Sequence, residues 1–229
     1  NPCANVPRPV VEQTETSVLT PEQTENLFRA CEREAPDLLG FLALSAFAGF
    51  RPEPEVERMD RSAVAAGLES GFLAPPVLNK TRRRRLVPVC PCLRAWIESW
   101  LPLGAAVIPT NFARQWNRVR DAAGIRPWPQ NVLRHSRVSY RLAETGNAAQ
   151  TADEDGHDAA MLHRNYKALV TPEAAVRYFS IFPTPGLDLK AAAAAARARQ
   201  ESKRRGDPER MRNLAAKRWT SRNQNQPAI

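Results

Sequence analysis

Long apolar runs are missing from this chain of 229 residues. A membrane-spanning helix needs about 20 consecutive apolar residues. The longest apolar stretch, residues 38–50, is interrupted by Gly40, Ser45 and Gly49. It therefore predicts a helix buried in a protein core. The first residues also lack the basic-then-apolar pattern of a secretory leader, so we expect a cytoplasmic protein without a membrane partner.

Cysteine and histidine are scarce, which argues against a metal centre. The chain has four cysteines and three histidines. Cys3, Cys31, Cys90 and Cys92 lack C-x-x-C spacing, and the last two form a C-P-C segment too tight and isolated for a metal site. His157 has no ligand set at zinc spacing either. We expect four reduced structural thiols, no metal and no cofactor.

Acidic residues are outnumbered, and this imbalance indicates an anionic partner. The chain has 33 lysines and arginines against 24 acidic residues, a formal charge of +9 and a pI near 10.0. Nucleic acid is the first candidate for such a partner, and structural RNA binders share this composition with DNA enzymes. With 43% hydrophobic residues, the chain is able to bury the core of one domain.

The pattern of apolar residues predicts a mainly α protein of the α+β class with a small antiparallel sheet. Thr20-Pro21-Glu22-Gln23 is typical of a helix start. Between residues 63 and 89, short apolar runs separated by turn signals predict the sheet. Helical spacing returns in residues 93–100, from residue 110 onward, and in residues 131–144 before Gly146.

Three segments follow from this pattern. Residues 1–18 are predicted to be an extended lead-in, residues 19–185 a compact domain, and residues 186–229 a basic C-terminal tail. The tail holds eleven lysines and arginines against four acidic residues. It is interpreted either as a solvated, partly disordered tail or as a basic helix that touches phosphates or docks on a neighbouring subunit.

Residues able to carry chemistry occur in three separated places. Arg51 directly follows the apolar helix, and a buried arginine there needs either a carboxylate such as Glu53 or Glu55 or a bound phosphate. A lysine, Lys80, lies at a predicted strand turn. The remaining candidates form a cluster that contains all three histidines of the chain. The cluster comprises Asn131, Arg134, His135, His157, His163 and Tyr166.

These segments resemble the tyrosine recombinases, the phage-integrase family, over residues 19–183. The family has an arginine after an apolar helix, a lysine in a K-x-x-x-x-R-x-V-P-like strand pair, an H-x-x-R-H-S box, and L-G-H followed nine residues later by a tyrosine. Each box is weak alone, but five in order form a strong signal. In this sequence the matching positions are Arg51, Lys80, Asn131, Arg134, His157 and Tyr166.

The resemblance implies the catalytic fold of that family and site-specific cutting and rejoining of DNA. Arg51 and Arg134 would hold the scissile phosphate, and Tyr166 would attack it to give a 3′-phosphotyrosine. Lys80 would protonate the leaving oxygen, and His157 would bind the phosphate or orient the tyrosine. The implied partners are double-stranded DNA and further copies, as a tetramer, on a bacterial nucleoid.

Plainer interpretations accompany several of these residues. Tyr166 alone would be an ordinary core or surface tyrosine, and Lys80 an ordinary turn lysine while residues 82–85 hold phosphates. His135 is interpreted as a packing or supporting residue more readily than as a catalytic one. His163 is interpreted as a solvated residue of a helix. At the level of function, the alternatives are DNA relaxation like that of a type IB topoisomerase, and a DNA-binding remnant unable to cleave.

The sequence departs from the family pattern at four places. Asn131 stands where the family has histidine, and it is able to donate a hydrogen bond but not to shuttle a proton. Pro54 occupies the usual acidic position, so a neighbouring glutamate has to replace it. Asp153 and Asp155 stand where leucines pack, at a cost in burial energy. Only about 18 residues precede the first helix, so without the family's N-terminal domain we expect weaker, salt-dependent DNA affinity.

Overall fold

Helices dominate the computed structural model of the protein, which describes residues 16–74, 85–166 and 169–205. The helices are α1 (Pro21–Glu34), α2 (Leu39–Phe47), α3 (Arg61–Ser70), α4 (Pro91–Trp100), α5 (Phe112–Ala123), α6 (Val132–Thr145), α7 (Ala148–Asp155), α8 (Ala159–Asn165), α9 (Pro172–Tyr178) and α10 (Leu189–Arg205). Strands β1 (Phe72–Ala74) and β2 (Arg85–Val87) pair antiparallel. The expected class, mainly α with a small antiparallel sheet, is confirmed.

Helix α1 begins where the sequence predicted. The Thr20 hydroxyl accepts from the backbone N–H of Gln23, and the Gln23 side chain accepts from the backbone N–H of Thr20. This reciprocal pair satisfies donors that a helix start leaves free. The inward face of α1, including Leu27 and Phe28, then packs into the core.

Helix α2 lies at the centre of the core. All nine of its residues are buried, and it contacts α1, α4 and α6. Trp100 of α4 packs so closely on Gly40 that a Cβ there would lie 2.6 Å from the indole ring. The predicted helix was expected to reach Phe50, but α2 ends at Phe47 because Gly49 takes a left-handed conformation.

One helix occurs where the sequence pattern indicated a sheet, and another packs on the domain where the pattern indicated either a solvated tail or a basic helix. Helix α3 occupies part of the stretch expected to form the sheet, capped by Asp60, whose carboxylate accepts from the N–H of Ala63. Helix α10 lies in the segment interpreted as a basic tail. Its Ala193 and Ala196 are buried, and α10 contacts α1 of the same chain.

An ion pair also holds α10 in place, with Arg197 donating to the Asp37 carboxylate at 2.7 and 3.0 Å.

Among the residues that the structure describes, no helix combines the length and apolarity that crossing a membrane requires. The fold positions the candidate site through a chain of contacts, in which α6 packs on α2 and α7, and β2 packs on α7.

Candidate active site

Arg51 follows the end of α2 and is held by a buried carboxylate. The backbone N–H of Arg51 donates to Glu55 Oε2 at 2.8 Å, and its Nη1 donates to Glu55 Oε1 at 3.3 Å. The Glu55 side chain is fully buried, whereas that of Arg51 stays 27% exposed. Of the two glutamates expected to support Arg51, Glu55 therefore makes the contact, and Arg51 remains reachable by a ligand.

Gly49 connects this arginine to the second one. Its backbone has a φ of +68°, which side-chain-bearing residues rarely adopt, and an added Cβ would lie 3.0 Å from Asp155 Oδ1. The carbonyl oxygen of Gly49 accepts from Nη1 of Arg134 at 2.5 Å. A glycine in the Ala48-Gly49-Phe50-Arg51 segment is thus required both by the backbone conformation and by close packing.

Arg134 lies in the first turn of α6 and is only 4% exposed. Its guanidinium donates to the carbonyl oxygens of Gly49 and Asp155 and to Nε2 of His157. Burial lowers the pKa of Arg134 to about 10, so the group is still charged at neutral pH. A guanidinium has five N–H donors. With three used within the described part of the chain, two are left for an anion.

Tyr166 directly follows α8 and is nearly buried, with 4% exposure. Its hydroxyl lies 2.7 Å from Nδ1 of His135, the residue next to Arg134 on α6. Burial raises the pKa of Tyr166, while the charges of Arg134 and Arg51 oppose that rise. Burial also lowers the pKa of His135, followed by the charge of Arg134, so a neutral imidazole faces the phenol.

His157 lies between Arg134 and Tyr166. Gly156 ends α7 in a left-handed conformation, and the chain then turns His157 towards α6. Nε2 of His157 is 3.1 Å from Nη2 of Arg134, and its ring stacks near that of Tyr166 with centroids 6.1 Å apart. Burial, then Arg134, lowers the pKa of His157 to about 3. His157 is therefore neutral and supports the arginine.

Asn131 precedes α6 at the edge of the same region. It is exposed, has a φ of +54° and does not cap the helix with its side chain. It lines a cavity of about 70 Å³ together with Trp116, Trp128 and Arg134. An asparagine tolerates this left-handed conformation better than most residues. Its amide is thus left available beside the Arg134 guanidinium.

Lys80 lies outside the described residues, as do residues 82–84. Arg85 is described, and it does not face a ligand: its side chain is fully buried, and its Nη2 donates to Glu55 Oε2 at 2.7 Å. Its guanidinium also lies over the Phe50 ring at 4.9 Å. The interpretation of Arg85 as a phosphate-holding surface residue is therefore wrong, because Arg85 instead orients the glutamate that holds Arg51.

The acidic end of α7 is buried and paired with arginines. Asp155 accepts from Nη1 of Arg137, and Glu154 accepts from Nη2 of Arg137 at 2.9 Å. Arg141 donates to both oxygens of Glu154 at 2.8 Å. Sequence reasoning recognised the cost at Asp155 but assigned the other buried carboxylate to Asp153, which is exposed, instead of Glu154, and it missed the arginine partners. The detectable signal was arginine at residues 134, 137 and 141, a helical spacing that places all three on one face.

His157 is expected to make the fold sensitive to acid. The unfolded chain takes up a proton near pH 6.5, whereas the folded protein resists protonation until about pH 3. Stability is complete above the higher value and falls as the pH drops between the two. Urea unfolding at about pH 7.5 and about pH 5 should show wild type losing about 1–2 kcal/mol more than His157→Gln.

The His157→Gln comparison isolates one group because His135, whose pKa is also lowered, is present in both proteins. Glutamine keeps an oxygen that is able to accept from Arg134 but does not titrate. An equal loss of stability in both proteins at about pH 5 would show that His157 is not held neutral by the fold.

The described residues thus bring together five of the six predicted site residues: Arg51, Asn131, Arg134, His157 and Tyr166. His135 adds the direct contact to the tyrosine hydroxyl. The arrangement combines two cations, a buried phenol and a neutral imidazole, which suits chemistry on a phosphodiester. Comparisons with family models, curated proteins and solved structures found no match for this chain.

Proposed function

We propose that this protein cuts and rejoins DNA through a transient covalent bond between Tyr166 and a 3′-phosphate, as a tyrosine recombinase does. The observation that carries the proposal is the short contact between the Tyr166 hydroxyl and His135, directly beside Arg134. Residues from four separate chain segments meet there, although the first, Arg51, and the last, Tyr166, lie more than a hundred positions apart. Stability alone does not require a phenol, an imidazole and two guanidiniums at one place.

Electrostatic stabilisation is the main contribution of the two arginines. A phosphodiester under attack carries extra negative charge on its non-bridging oxygens, and guanidiniums bind such oxygens with paired hydrogen bonds. Arg51 offers its exposed edge, and Arg134 offers its two uncommitted N–H groups. Glu55 holds both in position, lying 3.3 Å from Arg51 and 3.9 Å from Arg134. Asn131 adds an amide donor at the edge of the same site.

The proposed nucleophile needs a proton acceptor because burial raises the pKa of Tyr166. Nδ1 of His135 accepts the phenolic proton as the phenol oxygen attacks phosphorus. The bond from phosphorus to the 5′-oxygen breaks, and that oxygen takes a proton, for which Lys80 is the proposed donor. The phosphotyrosine stores the bond energy, so the reverse attack by a 5′-hydroxyl rejoins the strand without a cofactor.

The proposal includes the recombinase catalytic fold, duplex DNA as partner and a tetramer of copies on DNA, with integration or excision of a mobile element at a bacterial nucleoid as the setting. The formal charge of +9 favours a polyanionic partner. The pairing of Asp155 with Arg137 supports activity over a non-cleaving remnant. It compensates the negative charge that would otherwise repel a phosphate near Arg134.

The test is capture of a covalent complex on nicked duplexes of randomised sequence, followed by denaturing electrophoresis. A nick beside the scissile phosphate lets a short strand diffuse away and traps the phosphotyrosine. We expect an adduct on Tyr166, enriched for particular sequences. Relaxation of any supercoiled plasmid without sequence preference would instead indicate a topoisomerase. Salt-dependent DNA binding with no adduct would indicate a remnant and overturn the proposal.

His135→Gln is expected to slow covalent attachment by roughly a hundredfold, because a general base typically contributes that much. In wild type the rate should fall as the pH drops through the lowered pKa of His135, below its ordinary value of 6.5. The variant should lack that acid limb. Single-turnover rates between about pH 5 and about pH 8 give both measurements. An unchanged acid limb in the variant would assign the proton acceptor elsewhere.

A further inference from the structure

Two thiols lie in contact at the start of α4, away from the site described above. Cys90 is the residue before the helix, and Cys92 lies in its first turn, with Pro91 between them. Their sulfur atoms are 3.4 Å apart. Cys92 is buried, whereas Cys90 is partly exposed, so Cys90 is the more accessible residue of the pair.

The surroundings make the two sulfurs chemically unequal. A hydrogen bond from Cys92 is the main cause that lowers the pKa of Cys90, and the backbone N–H of Leu93 adds to it. The pKa of Cys92 is raised by the same contact and by burial. The pKa of Cys31 is raised well above its ordinary value by burial. Of the two sulfurs in contact, the partly exposed Cys90 is therefore the one on which the thiolate is favoured.

We propose that Cys90 and Cys92 form a redox modification site, in which a hydroperoxide converts the two neighbouring thiols to a disulfide. The contact between the sulfurs carries this inference, because a resolving thiol is already in place beside the partly exposed one. Closing the bond requires the sulfurs to move from 3.4 Å to about 2.05 Å. The inference does not depend on DNA chemistry at Tyr166.

The oxidation proceeds in two balanced steps. The Cys90 thiolate attacks one peroxide oxygen, the O–O bond breaks, and the released hydroxide takes a proton to become water. The Cys92 sulfur then attacks the Cys90 sulfenic acid, the S–O bond breaks, and the second oxygen leaves as water with the Cys92 proton. Two thiols and one hydrogen peroxide thus give one disulfide and two waters. A disulfide across a single residue is strained, so thiol reductants readily reverse it.

The location of the pair gives the modification a route to the rest of the fold. Cys90 is the third residue after the end of β2, and β2 carries Arg85, which holds Glu55. Burial, followed by the neighbouring Cys92, raises the pKa of Tyr178. Tyr178 in turn stacks on Tyr140 of α6, with ring centroids 4.1 Å apart. Oxidation of Cys90 is therefore expected to disturb β2, which carries Arg85, and α6, which carries Arg134.

The test exposes the intact chain to hydrogen peroxide, blocks remaining thiols by alkylation and measures the peptide that holds both cysteines by mass spectrometry. We expect this peptide to lose two hydrogens, and dithiothreitol to restore both thiols. Cys90→Ser should slow peroxide-dependent thiol loss by about tenfold, since the reactive thiolate is gone. Cys92→Ser should stop at the sulfenic acid on Cys90, which dimedone traps.

Cys31→Ala is the matched control, because Cys31 is buried and its thiol donates to the carbonyl oxygen of Ala35. It should react at the wild-type rate. Circular dichroism and thermal unfolding establish that each variant is folded before its rate is compared. The inference is overturned if Cys90 and Cys92 stay reduced while free cysteine is oxidised, or if the disulfide joins Cys90 to Cys3 or Cys31.

Discussion

Tyr166→Phe is expected to abolish covalent attachment to DNA completely, while leaving the fold and non-covalent DNA binding near wild type. The substitution removes a single oxygen. The ring stays packed among Val138, Ala152 and Leu162, so little apolar contact is lost. No other group in the described site is a phenol, and neither a neutral imidazole nor a guanidinium is able to form a phosphotyrosine. Covalent capture on nicked duplexes measures the loss.

The chain supplies its own matched control, because it has three tyrosines. The Tyr140 hydroxyl donates to the Leu19 carbonyl at 2.8 Å, and the Tyr178 hydroxyl donates to the Ala46 carbonyl at 2.7 Å. Tyr140→Phe removes a buried hydrogen bond worth about 1 kcal/mol but should still form the adduct. An adduct that persists in Tyr166→Phe would disprove the assignment of the nucleophile.

Arg51 and Tyr166, the proposed phosphate-binding arginine and the proposed nucleophile, were identified from the sequence alone. An arginine directly after the apolar stretch of residues 38–50 and a tyrosine nine positions after His157 are conspicuous without coordinates. Both lie in the region that the structure brings together. Their positions depend on helix ends, and helix ends leave local signals such as Gly49 and Gly156 in the sequence. Local signals of this kind are identifiable in the sequence without knowledge of the tertiary structure.

The role of His135 was not predictable in the same way. Adjacent residues on a helix point about 100° apart, so Arg134 and His135 cannot both face one partner directly. In the structure the two side chains have different partners. Arg134 contacts Gly49, whereas His135 contacts Tyr166, which directly follows α8. Which side of α6 receives the end of α8 is a tertiary fact. Sequence spacing does not contain it, and a supporting role was the natural expectation.

Helix α10 illustrates a second limit. Its alanine-rich, basic sequence suits a solvated helix as well as a packed one, because alanine buries little area in either case. What decides is the complementary surface on α1 and the carboxylate of Asp37 that receives Arg197. That acidic partner lies 160 positions away.

Helix α3 was missed for a simpler reason, since Gly67 and the short apolar runs around it weakened the helical pattern.

The buried acidic residues of α7 lead to the second large effect. Arg137→Leu is expected to lower the free energy of unfolding by about 3–5 kcal/mol, because it leaves buried carboxylates without their main counterion. Among the described residues, Asp155 would then keep an ion pair only with Arg85, whose Nη1 is 3.9 Å away. Glu154 is better protected, since Arg141 still donates to it. The loss therefore arises mainly at Asp155, next to the carbonyl that holds Arg134.

Replacing both partners should restore most of that stability. In Arg137→Leu with Asp155→Leu, the charges leave together and leucines fill the space, an exchange that is often neutral or favourable for buried pairs. The exposed pair Arg94–Glu98, with nitrogen and oxygen 3.4 Å apart, is the matched control. Glu98→Ala should cost less than about 1 kcal/mol. Urea unfolding of the wild type and the three variants at neutral pH gives the comparison. If Arg137→Leu costs no more than Glu98→Ala, the network does not hold α7 on α6, and the support inferred for Arg134 through Asp155 fails with it.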